Sequence, residues 1–307
     1  MRPRHWLPPV SVGLAVLIGH LILLQGQGTG DRHAYFAAAY TGERNLVLFP
    51  LDGPKIETLL LPVPLGGHAN SSDAVAIFAT AAVDIHEKLH RNSLFRIDVP
   101  SMKLFSIADL SRFRLIRGIA ISPQNNRAAI LGKYWGGTAV VCGIFSLDLS
   151  NGNVNHLLDS NDCDDSAGWS DMSLAPDGSH IVAVHRRSLE IIDLSSGAVK
   201  QIGQGFFKTA WSPDGKWIAA SSYSLGNAET TLFDTASLMR VRTFGTPVVL
   251  RVFWSPDSRL LLFRSLEAGC GPDEFTFRAV DIRNGQSRML ESSQCRVTGD
   301  DLGWIAE

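Results

Sequence analysis

One pattern recurs along this chain and constrains its fold more than any other feature. An apolar, strand-like stretch ends in Asp and runs straight into turn residues. It occurs as Leu48-Phe-Pro-Leu-Asp52-Gly, Phe95-Arg-Ile-Asp98-Val, Phe145-Ser-Leu-Asp148-Leu-Ser-Asn-Gly, Glu190-Ile-Ile-Asp193-Leu-Ser-Ser-Gly, Thr231-Leu-Phe-Asp234-Thr and Arg278-Ala-Val-Asp281-Ile-Arg-Asn-Gly. The six aspartates are 46, 50, 45, 41 and 47 residues apart. A period of roughly 40–50 residues with short strands is the spacing of propeller blades. Each Asp is expected to end a half-buried strand and to hydrogen-bond the backbone of the turn that follows.

A second landmark precedes the first in four repeats. It reads Ile121-Ser-Pro-Gln124, Leu174-Ala-Pro-Asp-Gly178, Trp211-Ser-Pro-Asp-Gly215 and Trp254-Ser-Pro-Asp-Ser258. Pro presets φ for a turn and Asp-Gly completes it. An apolar strand follows each landmark, as in His180-Ile-Val-Ala-Val184 and Leu260-Leu-Leu-Phe263. Each repeat therefore supplies four strands, the composition of one antiparallel blade. The first repeat lacks an opening strand. The segment Asp301-Leu-Gly-Trp304-Ile-Ala-Glu307 carries a Trp where Trp211 and Trp254 stand, so it is expected to open the first blade and close the ring. The expected fold is all-β: a six-bladed propeller of four-stranded antiparallel blades over residues 31–307, closed by the C-terminal strand and preceded by one N-terminal hydrophobic helix.

These residues resemble the WD40-like repeats of TolB-like β-propellers, strongly in the last four repeats and weakly in the first two, which lack the Ser-Pro landmark. The resemblance implies a blade and a non-catalytic role in envelope complexes, with protein or peptide partners meeting the mouth of the central channel. It equally admits an enzyme reading, because lactonases and lyases of propeller fold work through a polar site at that mouth. No separate α/β domain is read ahead of the blades, which sets the chain apart from TolB.

The N-terminus reads as a membrane-targeting segment within a first region of residues 1–30. Arg2 and Arg4 precede an uncharged run from Trp6 to Leu24, 19 residues long, and the spacer Gln25-Gly-Gln-Gly-Thr-Gly30 follows. About 20 apolar residues span a bilayer, and the flanking arginines place the tip in the cytoplasm and the remainder outside it. The alternative is a cleaved signal peptide and a secreted propeller. Either way residues 31–307 are expected on the extracytoplasmic, periplasmic side. With Lys+Arg 28 against Asp+Glu 30 there is no basic excess for nucleic acid. The propeller is expected to be monomeric.

Four cysteines suit an oxidising compartment. Cys142 and Cys163 flank Asp148, and Cys270 and Cys295 flank Asp281, in matching register. The expected disulfides are Cys142–Cys163 and Cys270–Cys295. No Cys-x-x-Cys spacing supports zinc.

Candidate chemistry is sparse. His86-Glu87-Lys88-Leu89-His90 is a literal H-E-x-x-H, yet the repeat places it in a loop before a third strand, and the chain then enters Ser93-Leu-Phe-Arg-Ile97 with no third ligand. No Gly-x-Ser-x-Gly elbow is present. His180 and His185 read as packing or surface residues beside a strand, and Asp162, Asp164 and Asp165 as a solvated acidic loop. No catalytic residue, cofactor or metal ligand is assigned. In such propellers the residues entering each opening strand line the channel. Counting five back from the landmark Pro gives Gly118, Asp171, Lys208 and Arg251, and Asp301 is the equivalent before Trp304. With Arg117 and Trp169 beside them, Arg117, Asp171, Lys208, Arg251, Asp301 and Trp169 form the candidate ligand- or partner-binding set.

Overall fold

The computed structural model of the chain describes residues 34–39, 45–50, 57–60, 69–73, 76–82, 92–98, 103–122, 125–160, 168–224, 227–246, 249–265, 276–289 and 300–306. They lie in the unit His33–Glu307. The N-terminal apolar run, His86–His90, Cys163, Cys270 and Cys295 lie outside the described residues.

The described residues are all-β and form six four-stranded antiparallel sheets. The first contains β1 (Ala34–Ala39), β2 (Asn45–Pro50) and β3 (Glu57–Leu60). The second is β4 (Ala69–Asp73), β5 (Ala76–Ala82), β6 (Asn92–Asp98) and β7 (Lys103–Asp109). The third is β8 (Phe113–Ser122), β9 (Arg127–Trp135), β10 (Val140–Asp148) and β11 (Val154–Asp159). The fourth is β12 (Trp169–Leu174), β13 (His180–His185), β14 (Ser188–Asp193) and β15 (Val199–Gln204). The fifth is β16 (Phe206–Trp211), β17 (Trp217–Ser224), β18 (Asn227–Asp234) and β19 (Arg240–Thr246). The sixth is β20 (Val249–Trp254), β21 (Leu260–Ser265), β22 (Thr276–Asp281) and β23 (Ser287–Met289).

The last strand, β24 (Asp300–Ala306), joins the first sheet ahead of β1, with Trp304 opposite Phe36. Opening strands touch in a closed circuit: β24 meets β4, β4 meets β8, β8 meets β12, β12 meets β16, β16 meets β20 and β20 meets β24.

The core lies between sheets, and this corrects the expectation of half-buried strands. In β13, Ile181 and Ala183 pack against the third sheet beside Ala129, Leu131 and Ile144. The alternate residues Val182 and Val184 pack against the fifth sheet beside Phe206, Ile218 and Phe233. Successive side chains of a strand point to opposite faces, so a strand buried on both must be apolar throughout. That is why Ile181-Val-Ala-Val184 reads as a continuous apolar run rather than an alternating one. Trp254, 6% exposed, packs in the cluster shared by the fifth and sixth sheets, and its Nε1–H donates to the Ala210 carbonyl across the boundary at 3.0 Å.

Candidate functional site

Antiparallel alternation divides the described sheets into two ends. The turns from first to second and from third to fourth strands lie at one end, the turn end. The starts of the opening strands and the connections between second and third strands lie at the other, the opening end.

The turn end is built from the repeated motifs. Ser212 Oγ donates to Asp214 Oδ1 at 2.7 Å and accepts the Trp217 N–H at 2.8 Å. Ser255 repeats the arrangement with Asp257 and Leu260. Gly215 closes its turn at φ 75°, a left-handed conformation that favours glycine. Ser258 holds the equivalent place at φ 59°, and its Oγ accepts the Asp214 N–H of the neighbouring sheet at 3.0 Å. The third-strand aspartates accept turn donors as the sequence implies. Asp148 takes the Ser150 hydroxyl and N–H, Asp193 those of Ser195 and Ser196, and Asp234 those of Ser237. Asp281 takes the Arg283 guanidinium at 2.7 Å. Hydrogen bonds to the ionised form favour it. The Ser195 hydroxyl and its neighbours thus hold Asp193 far below the ordinary carboxylate value, and Arg283 holds Asp281 down to about 2.

The opening end is irregular. Each opening strand breaks register: at Arg114 and Arg117 in β8, Ser170 in β12, Phe207 in β16 and Leu250 in β20, with further breaks in β4 and β24. A bulge bends a strand and re-aims the next side chain. Gly118, Asp171, Lys208 and Arg251 each follow a bulge directly, so the count from Pro had found a shared structural position. In β24 the break falls at Leu302, two residues nearer to Trp304 than the other spacings require.

The candidate residues fare differently. Asp171 is half-buried, and its Oδ2 accepts the Thr209 N–H of the next sheet at 2.9 Å, while Ser173 Oγ two residues on accepts the Trp211 N–H at 2.9 Å. Asp171 is therefore a stitch between sheets, and it sits against the segment that carries Lys208. Lys208 and Arg251 are half-buried on neighbouring opening strands, and Arg117 is exposed at its bulge. Asp301 pairs with Ala38 through the backbone. Trp169 is 8% exposed, stacks on His185 at 4.3 Å and donates from Nε1 to Ser160 Oγ at 2.8 Å, so it braces the third sheet against the fourth. Cys142 is disulfide-bonded, and its carbonyl accepts the Ser160 N–H at 2.8 Å.

Counting from Pro missed a set of arginines at this end. Arg112 lies over the Tyr134 ring at 4.9 Å, Arg114 over Trp135 at 5.0 Å and Arg187 over Phe207 at 4.5 Å. Arg186 and Arg187 form the two-residue turn between β13 and β14 at φ 48° and 67°. Such a turn ordinarily takes Asn-Gly, and a side chain in this region costs ~1–2 kcal/mol per residue. The signal available was the dipeptide Arg186-Arg187 where turn residues belong.

Among the described residues no three of His, Cys, Asp and Glu converge as a metal-ligand set. No helix among them is long and apolar enough to cross a membrane. The sequence matches no family model and no curated protein. Solved structures are similar in fold. TolB from Acinetobacter baumannii superposes at TM-score 0.61 and 18% identity, over 93% of this chain and 69% of that one. A putative TolB from Agrobacterium tumefaciens gives 0.55 and 17%, over 85% and 89%. An oligogalacturonate lyase in complex with manganese gives 0.57 and 14%, over 83% and 77%. At these identities the likeness speaks for fold, and the fold is a β-propeller.

Proposed function

We propose that the chain is a membrane-tethered, extracytoplasmic β-propeller whose six sheets are six blades. It binds a protein or peptide at its opening end without catalysing a reaction. The observation that carries this reading is the state of the carboxylates there. Asp171 accepts a backbone N–H, Glu190 lies 3.9 Å from His185, and Asp159 lies 3.3 Å from His156. These carboxylates already have partners within the fold, which leaves the basic side chains of this end to set the charge that a bound segment meets. The basic groups Arg117, Lys208 and Arg251 supply donors for backbone carbonyls and carboxylates of a bound segment, and Asp301 belongs to the strand that adjoins β20. Trp169 supports that end from beneath.

Three further parts of the reading rest on sequence. Residues 1–30 supply the anchor, by the flanking arginines and the apolar run. Cys142 pairs with Cys163: Ser160 is hydrogen-bonded to Cys142, and Cys163 is three residues on, ~10 Å of extended chain, within reach of the ~5.5 Å Cα separation a disulfide needs. Cys270–Cys295 follows by register.

The test is a pull-down from detergent-solubilised membranes, paired with a Lys208→Gln/Arg251→Gln variant. A partner captured by the native chain and lost by the variant supports the reading. The enzyme alternative is favoured by the lyases among the similar structures. Metal analysis of the purified protein decides it: stoichiometric metal with turnover of a uronate oligomer would replace the scaffold reading.

A further inference from the structure

We infer that the opening end of the third to fifth sheets is a docking surface for an acidic, partly apolar peptide segment of a partner protein. This rests on the scaffold reading and adds the chemistry of the partner. Most acids at this end are engaged locally: Asp109 accepts the Ser111 N–H at 2.8 Å, and Asp159, Asp171 and Glu190 are held as described above, while Glu229 of the fifth sheet is exposed. The cations Arg112, Arg114 and Arg187 instead lie over aromatic rings, and no carboxylate of the described residues pairs with them; Arg187 Nη2 also donates to the Tyr223 carbonyl at 3.4 Å. Ring stacking orients a guanidinium and leaves its edge N–H groups able to take a carboxylate in the bidentate manner. Exposed apolar groups are interleaved with them: Trp135 at 37%, Val140 at 45% and Tyr223 at 42%.

Two features argue that this arrangement is kept for binding. The Arg186-Arg187 turn holds two exposed arginines in a strained conformation where Asn-Gly would be relaxed, and backbone strain of this kind collects at functional sites. The third sheet also stands proud of its neighbour. From the equivalent turn, β9 runs nine residues and β13 six. At ~3.4 Å per residue the hairpin carrying Trp135 projects ~10 Å further. A flat anionic headgroup plane cannot meet both levels at once, whereas an extended peptide can follow the step.

The experiment uses the full chain in non-ionic detergent and a fluorescein-labelled peptide alternating Glu with Leu, read by anisotropy. The same peptide with Gln for Glu and phosphatidylglycerol vesicles are the comparisons. The acidic peptide is expected to bind, and to bind more weakly as salt rises. Arg112→Gln/Arg114→Gln should weaken binding at least tenfold. Arg186→Asn/Arg187→Gly should weaken it while raising the melting temperature by a few degrees, a pair of effects that damage to the fold would not produce. Equal affinity for the Gln peptide, wild-type binding by both variants, or binding to vesicles alone would overturn the inference. So would peptide binding that emerges only in Asp162→Asn/Asp164→Asn/Asp165→Asn, because the chain's own acidic loop would then be the occupant. A membrane partner still captured by both arginine variants would overturn this inference and leave the scaffold reading standing.

Discussion

The two ends of this molecule are made under different rules. At the turn end the same few atoms recur from sheet to sheet: a Ser hydroxyl between an Asp and a backbone N–H, an Asp gathering the donors of the turn that follows it. At the opening end the sheets share a bulge in the opening strand but differ in the side chains and hairpins they carry. The third carries a long hairpin with Arg-aromatic stacks, the fourth a strained Arg-Arg turn, and the fifth receives an Asp from its neighbour. A repeating fold needs one end to be uniform so that every opening strand folds back alike into the next. The other end is then open to variation, and binding residues collect on such connections.

The largest test of this contrast removes the ring that gives it meaning. Truncation after Gly299 deletes β24, strips the partner from β1 and leaves its edge open. Native domains hold only ~5–15 kcal/mol in total. The truncated chain should aggregate or melt far below the full one in a thermal scan. Melting within a few degrees would mean that β24 is not the clasp.

Next in size is the disulfide at the opening end. A bridge closing ~20 residues contributes ~3 kcal/mol in the chain-entropy model, so Cys142→Ser should lower the urea midpoint accordingly. Non-reducing peptide mapping should recover Cys142–Cys163 and Cys270–Cys295. A bridge between the two pairs would break the repeat register.

At the turn end single changes should cost less. Ser212→Ala loses two hydrogen bonds, yet the fourth sheet makes its turn with Ala175 at this place, so the cost should be about 1 kcal/mol. The reverse change, Ala175→Ser, should stabilise by a similar amount. If both are neutral in chemical denaturation, the motif marks the turn without strengthening it.

The smallest effect per residue is the pH response of the turn aspartates. Asp148, Asp193, Asp234 and Asp281 all have lowered folded-state pKa values, caused first by the Ser150, Ser195, Ser237 and Arg283 side chains respectively. A folded value below the unfolded one gives stability that is fully present above the unfolded carboxylate pKa of ~4 and lost as pH falls through the folded values. Urea midpoints should stay level from pH 7 to 5 and fall below pH 4. Replacing Asp193 and Asp281 by Asn should flatten the acid limb; an unchanged limb would assign it to other carboxylates.

The sequence was legible where it repeats. Short-range chemistry suffices there: Pro and Asp-Gly bend the chain, and Asp takes the next N–H groups. Strand order and turn positions follow from those local rules, down to Asp98, Asp148, Asp193, Asp234 and Asp281 as the last residues of their strands. Even the first sheet's missing strand could be read, because the last segment carries a Trp in an apolar stretch as Trp211 and Trp254 do. What needed the tertiary structure is everything set by residues distant along the chain. Asp171 was legible as a position but not as a stitch, since its partner Thr209 lies 38 residues on. Trp169 read as a ligand contact, but burial against His185 and Ser160 makes it a brace. The arginines over Tyr134, Trp135 and Phe207 follow no spacing rule, because two of those pairs depend on strands brought side by side and the third on two sheets meeting. Local hydrogen bonding writes itself into sequence as a motif; packing between sheets leaves only an apolar run, and which cation meets which ring is decided by how the sheets come together.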